Sequence, residues 1–151
     1  MVERTLVLVK PDAMQRGLAG EVIARFERRG LKPVAMRLFH MNRTLAARHY
    51  AEHIGKPFYE ALVAFITSGP LIAAVFEAEN AVALARQTIG ATDPAKAAPG
   101  SIRADLAVNM GRNLVHGSDS VESAEREVAL FFEEKDFVEW ERSAEKWVVE
   151  K

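Results

Sequence analysis

The sequence predicts an α/β (α+β) sandwich of about four strands with helices packed on the sheet. Three observations carry that expectation. The runs Thr5-Leu6-Val7-Leu8-Val9 and Leu71-Ile72-Ala73-Ala74-Val75-Phe76 are continuously apolar or β-branched, as strands buried on both faces are. Segments with apolar residues at helical spacing alternate with the strand runs. The 151 residues suffice for one core and are too few for two, so residues 1–151 are expected to form a single domain.

Each element follows in order. Lys10-Pro11-Asp12 ends the first strand, which puts Lys10 where a central strand stops. Ala19, Val22, Ile23 and Phe26 define the first core helix, and Gly30 follows where a C-terminal cap belongs. Val34, Met36 and Leu38 alternate with Ala35, Arg37 and Phe39 as a second strand, with Pro33 marking a strand start or a sheet edge. A helix is expected from Thr44 to His53 and another through Phe58, Leu62, Phe65 and Ile66, the pair packing as a hairpin closed by Gly69-Pro70. After the Leu71–Phe76 strand, Val82, Ala85 and Ile89 mark a crossover helix ending at Gly90. Gly90 to Ser101, with Pro94, Pro99 and Gly100, is a long loop of the kind that carries function. Val115-His116-Gly117 then precedes a helix with Val121, Ala124, Val128, Phe131 and Phe132 on one side, capped by Asp119 or Ser120.

Composition excludes several classes of function. With 20 basic and 21 acidic residues, the chain has no overall basic field to hold nucleic acid. Having no cysteine, it has no disulfides, thiolate zinc sites, iron–sulfur clusters or cysteine nucleophiles, and a reducing cytoplasm fits best. The opening apolar run is far shorter than a signal-peptide core or a membrane span, so Asn42-Arg43-Thr44 is not expected to be glycosylated.

Candidate chemistry sits at a few positions. His49-Tyr50-Ala51-Glu52-His53 has the H-x-x-E-H spacing of an inverted zincin motif, without an evident third ligand. No Gly-rich phosphate loop follows any strand, so phosphate would have to be held by scattered cations such as Lys10, Arg86 and Arg103. His116 stands at the end of an apolar stretch just ahead of a helix N-terminus, a place that favours anions and developing negative charge. Glu127, two turns into that helix, could fold back toward it.

Asn113-Leu114-Val115-His116-Gly117-Ser118-Asp119 matches the N-x-x-H-G-S-D signature of nucleoside diphosphate kinases. Leu8-Val9-Lys10-Pro11-Asp12, Gln15-Arg16-Gly17-Leu18, His49-Tyr50, Lys56-Pro57-Phe58-Tyr59, Ser68-Gly69-Pro70, Gly90-Ala91-Thr92-Asp93-Pro94 and Pro99-Gly100-Ser101-Ile102-Arg103 are similar to the same family, so the resemblance runs nearly end to end. It implies a ferredoxin-like βαββαβ core with a four-stranded antiparallel sheet. The implied activity is transfer of the γ-phosphoryl group from a nucleoside triphosphate to a nucleoside diphosphate. By this resemblance His116 is the covalent nucleophile of a ping-pong reaction, and Glu127, supported by Ser118, accepts a hydrogen bond from the ring nitrogen that does not attack. Lys10, Tyr50, Arg86, Thr92 and Arg103 match positions around the phosphates, and Asn113 with Lys10 matches those at the sugar hydroxyls. Phe58, Leu62 and Met110 match the slot that holds the base by its faces, Met110 standing where valine is frequent. Mg²⁺ is expected to bridge the phosphates without a protein cage.

Three rival readings are a nucleotide binder of this fold that transfers nothing, a zinc hydrolase on His49 and His53, and an RNA-binding module. The first lacks a reason for the full set around His116, and the third lacks an aromatic sheet pattern. The family resemblance and the apolar strand Val34–Phe39 also imply a homo-oligomer. A hexamer is favoured over a tetramer because of Pro94 in the long loop and the C-terminal segment Trp147-Val148-Val149-Glu150-Lys151.

Overall fold

A computed structural model describes residues 2–150; Met1 and Lys151, the ends of the expected domain and tail, lie outside them. Its centre is a four-stranded sheet in the order β2-β3-β1-β4, formed by β1 (Val2–Val9), β2 (Lys32–His40), β3 (Pro70–Glu79) and β4 (Val115–Gly117). Every pairing is antiparallel. With helices α2 (Ala19–Arg29) and α5 (Ala81–Ile89) as crossovers, this is the ferredoxin-like βαββαβ arrangement.

The two central strands carry unbroken apolar runs, Leu6–Val9 and Leu71–Phe76, where both sheet faces are covered. Val7, Val9, Ala74 and Phe76 point to the side of α2 and α5, where Phe26 stacks on Phe76 with centroids 5.0 Å apart. Leu6, Leu8, Ala73 and Val75 point the other way, against α3 (Arg43–His49), α4 (Tyr59–Ile66) and α7 (Val121–Phe131). Alternating side chains of one strand thus enter two cores, which removes any polar period from the sequence.

The helix expected from Thr44 to His53 is shorter. Asn42 caps α3 by accepting from the Leu45 N–H at 2.8 Å, and α3 ends at His49. Beyond Tyr50 the hydrogen bonding tightens, with His53 N–H donating to Tyr50 O at 2.8 Å, so Ala51–His53 is a 3-10 turn. The turn at Pro11 proves to be a short helix, α1 (Pro11–Gln15), and a second short helix, α6 (Ile102–Leu106), closes the long loop under a cap from Ser101. Gly90 opens that loop at φ +93°, where a Cβ would meet Ser101 Oγ at 2.4 Å, so only glycine lets the two ends of the loop close together.

Beyond α7 the chain returns along the start of β2. Val138 N–H donates to Val34 O at 2.9 Å, the Trp140 indole to Pro33 O at 2.9 Å, and Arg142 to Gly30 O at 2.7 Å, before the last helix α8 (Glu145–Val148). β2 is a sheet edge, as Pro33 suggested. Its register shifts between Pro33 and Ala35, and Met36 and Leu38 are left exposed.

Candidate active site

His116 sits in the middle of β4, paired with Leu8 of the central strand β1. The residues around it explain their own identities. Gly117 packs so tightly on α5 that a Cβ there would stand 2.6 Å from Ile89 Cδ1. Ser118 N–H donates to Leu6 O at 3.1 Å, continuing the ladder by one bond, while Ser118 Oγ accepts from Leu6 N–H at 3.3 Å. Ser120 is the cap of α7, accepting from Ser123 N–H at 3.0 Å.

Glu127, on the buried face of α7, reaches the histidine. His116 Nε2 lies 2.9 Å from Glu127 Oε1, and the Ser118 hydroxyl donates to the same oxygen at 2.8 Å. Burial pushes the Glu127 carboxyl up, but the hydrogen bonds from His116 and Ser118 outweigh it, so its pKa lies below the ordinary value. An ionised carboxylate only accepts, so Nε2 carries the ring proton and Nδ1 keeps its lone pair. The side chain is neither free in solvent nor sealed in the core.

His49 and Tyr50, at the end of α3, form the other wall. The His49 ring meets His116 edge-on at a centroid distance of 4.8 Å and also touches Tyr50 and Phe131. Burial, reinforced by His116, holds its pKa down at about 3, so it is neutral. Burial likewise raises the Tyr50 phenol to about 12. The H-x-x-E-H reading is not realised: because the helix stops at His49, that ring groups with His116 and Glu127, whose ligand atoms all lie within 4.8 Å of one another. His53 instead lies beside Phe58, with Nδ1 3.5 Å from Lys56 Nζ. The sequence motif drew attention to His49 for the wrong partner.

The cations divide into two kinds. Lys10 follows β1 directly, and its Nζ donates to Asn113 Oδ1 at 2.5 Å; Asn113 in turn donates to Thr92 O at 2.9 Å, tying the long loop to the approach to His116. Burial lowers the Lys10 pKa to about 8 despite the opposing charge of Asp12. Arg103 is buried, and its guanidinium staples three carbonyls: Gly90 O at 3.1 Å, Asn113 O at 3.2 Å and Val115 O at 2.6 Å. Burial lowers its pKa to about 10, which leaves it charged at neutral pH. Arg86 is exposed and donates one bond, to Gly117 O at 3.1 Å, beside His116. Thr92 is exposed as well.

Phe58 and Met110 are large apolar side chains left about half exposed, at 47% and 57%, and Leu62 is partly buried. None is the ordinary core residue its type suggests, which is consistent with a stacking surface.

An antiparallel α/β sandwich with an imidazole oriented by a carboxylate, close to lysine and arginine side chains at the ends of its strands and helices, defines a nucleotide phosphotransferase of ferredoxin-like fold. The comparisons with known proteins agree. A family model described as nucleoside diphosphate kinase matches residues 3–137, and the chain belongs to this family. It is 56% identical to the nucleoside diphosphate kinase of Archaeoglobus fulgidus over 99% of both chains, and 55% identical to that of Thermomicrobium roseum over 98% of this chain and 99% of the relative. Among solved structures, a halophilic nucleoside diphosphate kinase from Halobacterium salinarum in complex with CDP superposes with a TM-score of 0.95 at 49% identity, covering 99% of this chain and all of the other. A family member from Babesia bovis gives 0.94 at 44% identity, covering 97% and 99%.

Proposed function

We propose that residues 1–151 act as a single nucleoside diphosphate kinase domain in which His116 carries the phosphoryl group between nucleotides. The observation that supports this most directly is the 2.9 Å bond from His116 Nε2 to Glu127, which commits one ring nitrogen to the protein and leaves Nδ1 as the nucleophile. Nδ1 attacks the γ-phosphorus in line, the bond from that phosphorus to the bridging oxygen breaks, and the nucleoside diphosphate leaves with the electron pair. Positive charge develops on the ring and is shared with Glu127 through the Nε2 proton. A second nucleoside diphosphate then takes the group from Nδ1 by the reverse steps.

Lys10, Arg86 and Arg103, with Tyr50 and Thr92, surround the phosphates, where charge spread over the transferring oxygens most needs opposing dipoles and cations. Lys10 and Asn113 contact the sugar hydroxyls, and Phe58, Leu62 and Met110 hold the base. A Mg²⁺ ion arriving with the nucleotide would supply charge neutralisation on the phosphates, while Glu127 Oε1 is committed to His116 and Ser118. The domain works as a homo-oligomer, a hexamer in preference to a tetramer, and in the cytoplasm. Among the described residues no helix is long and apolar enough to cross a membrane.

Incubation with γ-labelled ATP tests the reading. Acid-labile, base-stable label retained on the protein and lost in His116→Ala is the expected result; absence of label on the unmodified chain would overturn it.

A further inference from the structure

Asp12 has no part in the chemistry above, yet its carboxylate is buried beside it. Oδ2 accepts the Leu114 N–H at 3.0 Å, and Oδ1 has no partner among the described residues. Leu114 is in the left-handed region at φ +73°, and the Val115 N–H donates across it to Asn113 O at 2.9 Å. Together these make a γ-turn centred on Leu114 in its rare, strained form, two residues ahead of His116.

The surroundings hold every polar group of this turn. Leu114 C=O accepts from Lys10 N–H at 2.9 Å, and Arg103 clamps the carbonyls on either side, those of Asn113 and Val115. The ladder between β1 and β4 ends at Val9 and Val115, because β1 runs into α1 at Pro11 and offers no further strand carbonyl. Asp12, in the first turn of α1, supplies an oxygen where the missing carbonyl would be.

We propose that Asp12 is a positioning residue for phosphoryl transfer: its carboxylate holds Leu114 in the γ-turn and thereby sets the direction of His116 relative to Asn113 and Lys10. Without that bond Leu114 relaxes to negative φ, and the peptide planes on both sides rotate. Asn113 then leaves Lys10 and Thr92, and the His116 ring loses its alignment with Glu127. Asp12 also places a negative charge near Lys10 and Arg103, so geometry and charge must be separated by the test.

The inference rests on His116 being the phosphoryl carrier, which the labelling of the unmodified chain decides on its own. Three measurements are then made on Asp12→Ala and Asp12→Asn: the single-turnover rate of labelling at saturating ATP, nucleotide affinity, and the imidazole ¹⁵N spectrum of His116. Asp12→Ala is expected to slow labelling by roughly 10- to 100-fold, the scale of a small misplacement, with affinity changed by less than about threefold. Its ¹⁵N spectrum should change from one Nε2–H tautomer to a mixture. Asp12→Asn keeps an acceptor oxygen in place and loses the charge, so its labelling rate should stay within about threefold of the unmodified chain. Normal labelling in Asp12→Ala, a loss confined to affinity, or equal impairment of Asp12→Asn would each overturn the proposal. If Asp12→Ala does not fold, Asp12→Glu replaces it. Its longer arm displaces the acceptor while keeping the charge, and a rate equal to that of Asp12→Asn would then overturn the proposal.

Discussion

His116 Nε2 and Ser118 Oγ meet on a single oxygen of Glu127, at 2.9 and 2.8 Å. The carboxylate sits on α7 and its two donors lie at the end of the sheet, so this contact fixes the histidine ring relative to both layers of the sandwich. His116 is partly exposed and fills little of the core. His116→Ala should therefore abolish nucleotide phosphorylation while leaving the melting temperature within a few degrees of the unmodified chain. Glu127→Gln keeps an acceptor but loses the charge that supports the developing imidazolium. Losing one charge-assisted bond is worth about 1.5 to 3 kcal/mol, so turnover should fall roughly 10- to 100-fold. Steady-state kinetics of both variants checks this, and an equal loss in the two would remove Glu127 from the orienting role.

His49 gives a prediction about acid stability. Its folded pKa of about 3 lies below the ordinary 6.5, so the unfolded chain binds a proton over that interval and the folded chain does not. The linkage sign is then fixed: stability is unaffected by His49 above pH 6.5 and falls as pH drops from 6.5 toward 3, by up to about 1.4 kcal/mol per pH unit. His49→Phe keeps an aromatic edge against His116 and removes the proton. Denaturation curves at pH 7, 5.5 and 4.5 should show a shallower loss in the variant, and parallel losses would contradict a buried neutral imidazole.

Lys10 governs the alkaline side. With a pKa near 8 in the free protein, it loses its charge as pH rises through 8, and in the proposed site nucleotide phosphates would bind the charged form. ADP affinity should weaken above pH 8, and binding at pH 8.5 should take up about three quarters of a proton. Calorimetry in two buffers of different ionisation enthalpy measures that uptake directly. Lys10→Arg stays protonated across this range and should show none.

The sheet and its helices were legible because a strand buried on both faces has one appearance, an unbroken apolar run, and a crossover helix another. The short pieces were not. Helix α1 lies within a segment whose Pro and Asp also suit a turn, and α6 within a loop dominated by Pro and Gly. His116 and Ser118 could be singled out because the seven-residue motif holds both, and Glu127 because it lies two turns into the helix that follows and matches a family position. The place of His49 depends on α3 stopping one residue short of Tyr50, a tertiary choice with no local signal. Nor could spacing reveal that Arg103 holds three carbonyls, or that Asp12 reaches Leu114, since such bonds join residues brought close only by the sheet order.

Base specificity should be broad. In the proposed site Phe58, Leu62 and Met110 would present carbon and sulfur surfaces to the faces of a base and offer no donor or acceptor to its edges. A pocket of that kind separates analogues by little, whereas rejection by several orders of magnitude needs polar groups left unpaired by the wrong substrate. The ratio of kcat/KM between ATP and CTP is expected to stay below about 100. Lys10→Ala should weaken all nucleotides alike, and a base-dependent loss would show that the lysine reads more than phosphate and sugar.

Assembly is expected to run through β2. The order of the sheet leaves β2 as its longer edge, since the other edge, β4, is only three residues long. The returning tail bonds to Pro33 and Val34 and so covers the first part of β2, but Met36 and Leu38 remain 47% and 64% exposed. An open edge bearing large apolar side chains is usually paired, and a two-fold axis would lay the same segment of a second copy against it, burying Leu38 of both. Leu38→Glu would bring two like charges into that apolar seam and should split the assembly, while the His116–Glu127 contact, at the opposite edge of the sheet, is left in place. Pro94, on which the expectation of a hexamer partly rests, tests the contacts that would join dimers. It opens a single 3-10 turn in the long loop, capped by Asp93, and Pro94→Ser exchanges a rigid turn for a mobile one. That change should loosen contacts between dimers and leave dimers intact. Light scattering separates the cases: the unmodified chain should give about six times the 16.7 kDa of one subunit, Pro94→Ser should dissociate toward dimers on dilution, and Leu38→Glu should dissociate past them. A unit mass of 16.7 kDa for the unmodified chain would refute assembly, and a Leu38→Glu variant as large as the parent would place the interface elsewhere.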